Sequence, residues 1–164
     1  MSHVAQQKVL VKSLDDLGAA VKRLGGTLKR GETKVRWYSS GFVDDSTTWK
    51  DFFSKEEADR IAKLSRTERV KIINAEMSRA DHVISFPGAH YDVGVMRMQD
   101  STFRLRWDQY AGGGGLHKFI GHDGGLLGQA YAIEAAKRAA RRKGFIIREE
   151  KQPNGHIKLK LMMQ

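Results

Sequence analysis

Two neighbouring segments of the chain alternate between apolar and polar residues and therefore predict an antiparallel β-hairpin. The first segment is Tyr91–Met98 and the second is Thr102–Asp108, with a turn at Gln99–Ser101 between them. Alternation with a period of two places one set of side chains on each face of a sheet. We expect the apolar set to face a core and the polar set, which includes Arg104 and Arg106, to face solvent.

The end of the chain predicts a second hairpin, and the turn fixes its register. The segment Pro153–Gly155 suits a three-residue loop with glycine in the left-handed conformation. This loop places Phe145 opposite Met163 and Ile147 opposite Leu161 on the core face. A two-residue turn would shift every pair and oppose Lys151 to a second lysine, so we prefer the longer loop.

Helical periodicity marks two segments that are expected to pack on the sheet. The first covers about residues 14–24 and follows Ser13, a natural N-cap residue. Its leucine and valine residues recur at spacings of three and four, which gives one apolar stripe. The second covers residues of about 126–143 and is rich in alanine, so it can approach a sheet closely.

Residues 39–80 interrupt this pattern and read as an insertion of two helices. Each helix begins with a serine that is followed three residues later by glutamate, at Ser54 and at Ser65. Glycines crowd residues 111–128, which we interpret as a Gly-rich loop with a flexible lid. The order of elements predicts an α+β fold: one antiparallel sheet, two packing helices and the helical insertion, in a single domain over residues 1–164.

Several short motifs occur in the same order as in a known family. They are Met1–His3, Leu24-Gly25, Tyr91–Gly94, Trp107, Gln129–Ala132, Gly144-Phe145 and Gly155–Leu159. On these residues the chain resembles the uncharacterised Ycf-type family of chloroplast and cyanobacterial reading frames, the thirty-fifth of that series, which has phage relatives. The resemblance covers about 1–30 and 82–162, whereas 39–80 and Gly112–Gly115 depart from it. It implies the fold and a single domain, and it implies no activity.

The balance of charge favours an anionic partner. The chain has 29 Lys and Arg residues against 19 Asp and Glu residues, a formal net charge of +10. Nucleic acid is the commonest partner of so basic a protein. The candidate nucleic-acid-binding residues are Lys137, Arg138, Arg141, Arg142 and Lys143 at the end of the long helix, with Arg104, Arg106, Lys158 and Lys160 on the two hairpins.

These cations predict contact with phosphates more than with bases. Arg138, Arg141 and Arg142 share one helix face, and the hairpin cations would form one basic surface if the two hairpins were neighbours in a single sheet. Base stacking needs aromatic rings among the cations, but alternation places Phe103 and Trp107 on the core face. We therefore predict a non-enzymatic nucleic-acid-binding accessory protein of weak sequence specificity, viral in one interpretation, with RNA and DNA both open.

Two other functions remain open. The insertion at 39–80 could make the chain a protein-binding module, a subunit or an inhibitor of a larger assembly. Its partner-contacting aromatic residues would be Trp37, Tyr38, Phe42 and Trp49.

The other alternative is a nucleotide-binding or metal-dependent enzyme that uses the loop at 112–128. His117, His122 and Asp123 in that loop could form a site of two imidazoles and one carboxylate. However, the spacing matches no known ligand signature, and the loop lacks the Gly-Lys-Ser/Thr ending of a P-loop. The sequence therefore predicts no catalytic residue, no metal and no cofactor.

Other features exclude whole classes of protein. The absence of cysteine excludes disulfides, thiolate zinc sites, iron–sulfur clusters and thiol nucleophiles. No apolar run approaches the roughly 20 residues that span a bilayer, and the first residues lack the layout of a signal peptide. We expect a cytoplasmic protein without a membrane partner, located in the host cytoplasm if the chain is viral.

Overall fold

The structure, a computed structural model, describes residues 4–6, 10–36 and 49–163. A short 3-10 turn covers Lys50–Phe52. The strands and helices, in chain order, are β1 (Val4–Gln6), α1 (Leu14–Arg23), β2 (Thr27–Arg30), α2 (Lys55–Ala62), α3 (Arg66–Met77), β3 (His82–Ser85), β4 (Val93–Arg97), β5 (Phe103–Asp108), α4 (Tyr110–Gly114), α5 (His117–Ile120), α6 (Gly125–Arg142), β6 (Phe145–Lys151) and β7 (Ile157–Met163).

Five strands form one antiparallel sheet in the order β1-β5-β4-β3-β2. The predicted hairpin is β4–β5, in which Val95 pairs with Leu105 and Met96 pairs with Arg104. Helices and antiparallel strands are segregated along the chain, so the predicted α+β class is confirmed. Within the described ranges, no helix combines the length and the apolarity that crossing a bilayer requires.

The main core lies between the sheet and helices α1 and α6. Trp107 is fully buried there, together with Leu17 and Leu127 from the two helices. Ser13 caps α1 as predicted, because its side chain accepts a hydrogen bond from the Asp16 backbone. The hydroxyl of Tyr131 on α6 accepts a bond of 2.8 Å from the Lys12 backbone, which fixes the start of α1 against α6.

The second face of the sheet is also covered, and the prediction that Arg106 faces solvent is wrong. Arg106 is only 4% exposed. Its Nη2 donates to the backbone carbonyls of Arg79 and Glu76, at the end of α3. The chain around α3 therefore lies on the face that alternation alone assigns to solvent, and Arg106 is buried with its Nη2 bonded to that chain.

The insertion has a small core of its own. Both predicted capping boxes are present, at Ser54 for α2 and at Ser65 for α3. Behind them, Trp49, Ile61, Ile73 and Met77 form a buried cluster separate from the main core. Residues 37–48, which include the first ten residues of the insertion (39–48), lie outside the described residues.

The Gly-rich region is a packed turn, where the sequence suggested a flexible loop. Residues 111–115 all have positive φ, from 49° at Ala111 to 94° at Gly115, so α4 is a left-handed turn. Gly113 and Gly114 are buried. Such a run is accessible almost only to glycine, since a Cβ in this conformation approaches the carbonyl oxygen.

The motif Tyr91–Gly94 has a packing role. The ring of Tyr91 lies against Gly114, and Asp92 accepts hydrogen bonds from the Arg36 side chain at 2.6 and 2.9 Å. Burial alone would raise the pKa of Asp92, but the bonds from Arg36 and Ser85 hold it below its usual value. Asp92 joins the chain at Arg36 to the sheet. The motif Tyr91–Gly94 therefore has a structural role in stabilising the fold.

The last two strands form a separate ribbon. The predicted register is confirmed, because Phe145 pairs with Met163 and Ile147 pairs with Leu161. However, the ribbon is a two-stranded sheet that is not joined to the five-stranded one, so the single four-cation face proposed for the two hairpins does not form. Its apolar face is only partly covered, with Leu161 55% exposed and Met163 84% exposed.

Candidate anion-binding cleft

Four arginine residues line one cleft between the end of α3 and the β4–β5 hairpin. They are Arg79, Arg97, Arg104 and Arg106. The cleft has a volume of about 330 Å³, which is at the lower end of the roughly 300–1,000 Å³ that ligand sites occupy. We call it the arginine cleft.

Strand register and helix termination together bring three of these arginines into one place, and Arg97 joins them at the end of β4, where it pairs with Phe103. In β5, Arg104 and Arg106 point to the same face because they are two residues apart, and they lie opposite Met96 and Gly94 of β4. Gly94 leaves little room for a side chain, since a Cβ there would lie 3.1 Å from Val35 Cγ2. The end of α3 adds Arg79 to the cleft.

Arg106 forms the fixed base of the cleft. Its Nη2 lies 2.7 Å from the Arg79 carbonyl oxygen and 3.1 Å from that of Glu76, and its guanidinium is 5.0 Å from the ring centre of Phe52. Burial, together with the nearby cations of Arg79 and Arg104 and against the opposing effect of Glu76, lowers the pKa of Arg106 to about 10. The group is still protonated at neutral pH.

Positive charge exceeds negative charge around the cleft. Glu76 is the one carboxylate among its lining residues in the described part of the chain, and it pairs with Arg79 at 3.2 Å. Arg79, Arg97 and Arg104 are exposed at the rim. Three exposed arginines beside a buried fourth suit a phosphate or carboxylate, because a planar guanidinium fork can donate two parallel hydrogen bonds to such a group.

The predicted cations at the end of α6 fall into two groups, because ion pairs hold Lys137 and Arg138 but not the others among the described residues. Lys137 lies 2.6 Å from Glu149 and 3.2 Å from Glu134. Arg138 donates to Ser13 at 2.6 Å and pairs with Asp15 and Asp16. These two cations join α6 to the ribbon and to α1, so their charge is already compensated inside the fold.

The other predicted cations lie apart from the arginine cleft. In the described part of the chain, Arg141, Arg142 and Lys143 are exposed and form no ion pair. On the ribbon, Lys160 bonds to Glu150 at 2.6 Å and Lys158 is exposed. The nine predicted residues therefore occupy three places: the cleft, the end of α6 and the ribbon.

Sequence reasoning missed Arg79 and Arg97. Arg97 lies near the end of the predicted strand Tyr91–Met98, but nothing in the sequence indicated that the end of α3 lies beside this hairpin. The bonds from Arg106 to Arg79 and Glu76 join residues 27 and 30 positions apart along the chain, beyond the reach of periodicity or capping signals.

The predicted partner-contacting aromatics do not form an exposed group in the described residues. Trp49 is 2% exposed and packs edge-on against Phe53, with ring centres 6.0 Å apart. Its side chain belongs to the core of the insertion and is closed to a partner in this structure. Trp37, Tyr38 and Phe42 lie outside the described residues.

Glu149 is the centre of the network that attaches the ribbon. Hydrogen bonds from Arg23 and then from Lys137 lower its pKa from 4.5 to about 2. Because the folded pKa lies below the unfolded one, this stabilisation is complete above pH 4.5 and is lost as the pH falls towards 2. We expect Glu149→Gln to lower the free energy of unfolding at pH 7 by about 2 kcal/mol, after allowing for partial exposure to solvent.

Urea unfolding of both proteins from pH 7 to pH 2 tests this expectation. The difference between wild type and Glu149→Gln should shrink below pH 4.5. Glu150→Gln is the matched control, since Glu150 pairs with Lys160 on the outer side of the same ribbon. Its effect should be smaller, and a difference for Glu149→Gln that does not depend on pH would contradict the ion-pair explanation.

Comparison with models of known protein families, with curated proteins and with solved structures finds no match. The resemblance to the Ycf-type family therefore stays a prediction. The residues of the cleft are therefore the evidence that bears on its function.

Proposed function

We propose that the protein is a non-enzymatic nucleic-acid-binding accessory protein and that the arginine cleft holds phosphates of the backbone. The observation that carries this proposal is the convergence of Arg79, Arg97, Arg104 and Arg106 on one cleft with a single carboxylate in its lining. Phosphate contacts by arginine supply most of the sequence-independent affinity of such proteins.

The exposed cations at the end of α6 form a second, separate surface, because α6 packs against the face of the sheet opposite to the cleft. Arg141, Arg142 and Lys143 are exposed and form no ion pair among the described residues. A net charge of +10 adds long-range attraction to a polyanion. Lys137 and Arg138 are left out of the surface, because each of them is held by carboxylates of α1, α6 or the ribbon.

The cleft favours backbone contacts over reading of bases. Phe52, the one aromatic residue in its lining among the described residues, already faces the guanidinium of Arg106. Base stacking on that face would have to displace a buried cation. We therefore expect little sequence preference and a strong dependence on salt.

The test is binding of labelled single- and double-stranded DNA and RNA at several salt concentrations, by fluorescence anisotropy. The variant Arg97→Gln/Arg104→Gln removes two rim charges and leaves the buried Arg106 in place. It should weaken binding about uniformly across sequences and reduce the slope of log K against log salt by about 0.7–0.9 per lost phosphate contact.

A matched control separates the cleft from overall charge. Lys55→Gln/Lys63→Gln removes the same charge from exposed positions at the two ends of α2, which lie outside the three groups of cations. The control should keep the wild-type slope. Equal losses in the two variants would mean that binding reflects net charge alone, and the cleft would lose its assignment.

A further inference from the structure

Two histidines from the Gly-rich region meet at one point. The Nδ1 atoms of His117 and His122 lie 3.3 Å apart, and the rings are almost perpendicular, with centres separated by 4.8 Å. The sequence offered these two histidines, with Asp123, as one possible metal site, and the structure brings the two imidazoles together. The arginine cleft shares no lining residue with the pair.

The left-handed turn shapes the position of His117. A Cβ on Gly113 would come within 3.0 Å of His117 Cδ2 and 3.2 Å of its Nε2, so only glycine permits this close approach. His117 Nε2 is buried under that turn and has no hydrogen-bond partner among the described residues. Nδ1 is therefore the ring nitrogen that His117 presents to His122.

His122 is held from the other side. It follows Gly121, which has a φ of 84° and ends the short helix α5. Its backbone carbonyl accepts a hydrogen bond of 3.5 Å from the Gln109 side chain. The side chain of His122 is exposed, so the point between the two Nδ1 atoms is open to water.

The geometry points to a divalent transition-metal site, of the Zn²⁺ class, held by His117 Nδ1 and His122 Nδ1. Imidazole nitrogens bind Zn²⁺ at about 2.0–2.1 Å, and two ligands of a tetrahedral ion then lie about 3.3–3.4 Å apart. The observed separation of 3.3 Å has this value.

Water would complete the coordination of such an ion. Among the described residues, no third His, Asp or Glu joins the two imidazoles in a metal-binding group. Asp123, the predicted third ligand, accepts a hydrogen bond of 2.9 Å from the Gly125 backbone at the start of α6. A site with two protein ligands and open positions binds more weakly than a closed structural site and leaves room for an exogenous anion.

The test uses the full chain without an affinity tag, titrated with Zn²⁺ by calorimetry and with Co²⁺ by visible absorption at pH 7.5. We expect one ion per chain and Co²⁺ bands of tetrahedral intensity. His122→Ala should weaken Zn²⁺ binding by about tenfold or more. His156→Ala, an exposed histidine in the ribbon turn, is the control and should bind as the wild type does.

The outcomes are distinct. A metal-dependent rise in Tm for the wild type and for His156→Ala, but not for His122→Ala, supports the site and shows that the variants fold. Absence of one-to-one binding by the wild type, or equal binding by His122→Ala, would overturn it. Neither result bears on the arginine cleft, which is tested with nucleic acid and with other residues.

Discussion

Replacing Trp107 with alanine is expected to lower the free energy of unfolding by about 3–5 kcal/mol. Trp107 is fully buried in β5, at the centre of the core between the sheet and helices α1 and α6. Truncation removes the largest fully buried side chain and leaves a cavity that β4, α1 and α6 would all have to close. Urea unfolding followed by circular dichroism measures this loss.

Trp107→Phe is the informative control for that experiment. The indole Nε1 of Trp107 is buried and has no hydrogen-bond partner among the described residues. Its loss therefore removes an uncompensated polar group, which partly offsets the smaller volume of phenylalanine. We expect Phe to keep most of the stability, and equal losses for Phe and Ala would show that the N–H has a partner.

Replacing Gly114 with alanine is expected to cost about 3 kcal/mol or more. Gly114 has a φ of 58°, and a Cβ there would come within 2.5 Å of Tyr91 Cγ. The left-handed conformation alone costs an alanine about 1–2 kcal/mol, and the overlap with the ring forces Tyr91 or the turn to move.

Gly112→Ala separates these two costs. Gly112 has a φ of 68°, but the nearest atom to its added Cβ is His117 Nδ1 at 3.9 Å, which is ordinary contact. Gly112→Ala should therefore lower the free energy of unfolding only by the cost of the left-handed conformation, about 1–2 kcal/mol. Thermal unfolding of both variants provides the comparison. Equal effects at the two positions would show that Tyr91 does not pack on Gly114 as the structure has it.

The two glycine substitutions also clarify what the sequence failed to indicate about this region. A run of glycines is compatible with a mobile linker and with a left-handed turn, because both need freedom from a Cβ. The choice depends on Tyr91 and His117, which pack against the turn from elsewhere in the fold. Those contacts are tertiary, so no local pattern could predict them.

The candidate cleft shows the same limit in another way. Alternation correctly put Arg104 and Arg106 on one face of β5, and it correctly put Trp107 on the other. It could not say that the chain around α3 covers Arg106 or that α3 adds Arg79. As a result the sequence identified two of the four arginines that line the cleft, but it did not predict the cleft itself.

The sequence by itself determined the α+β class, the caps of α1, α2 and α3, and the register of β6 with β7. Each of these follows from interactions within a few residues, such as a cap, a turn or a period of side chains. Only the tertiary structure decided that the ribbon stands apart from the main sheet, that carboxylates neutralise Lys137 and Arg138, and that four arginines share one cleft. These outcomes depend on which surfaces meet when distant segments bury their apolar faces. Because the hydrophobic effect has no preferred direction, local sequence does not indicate which surfaces will meet.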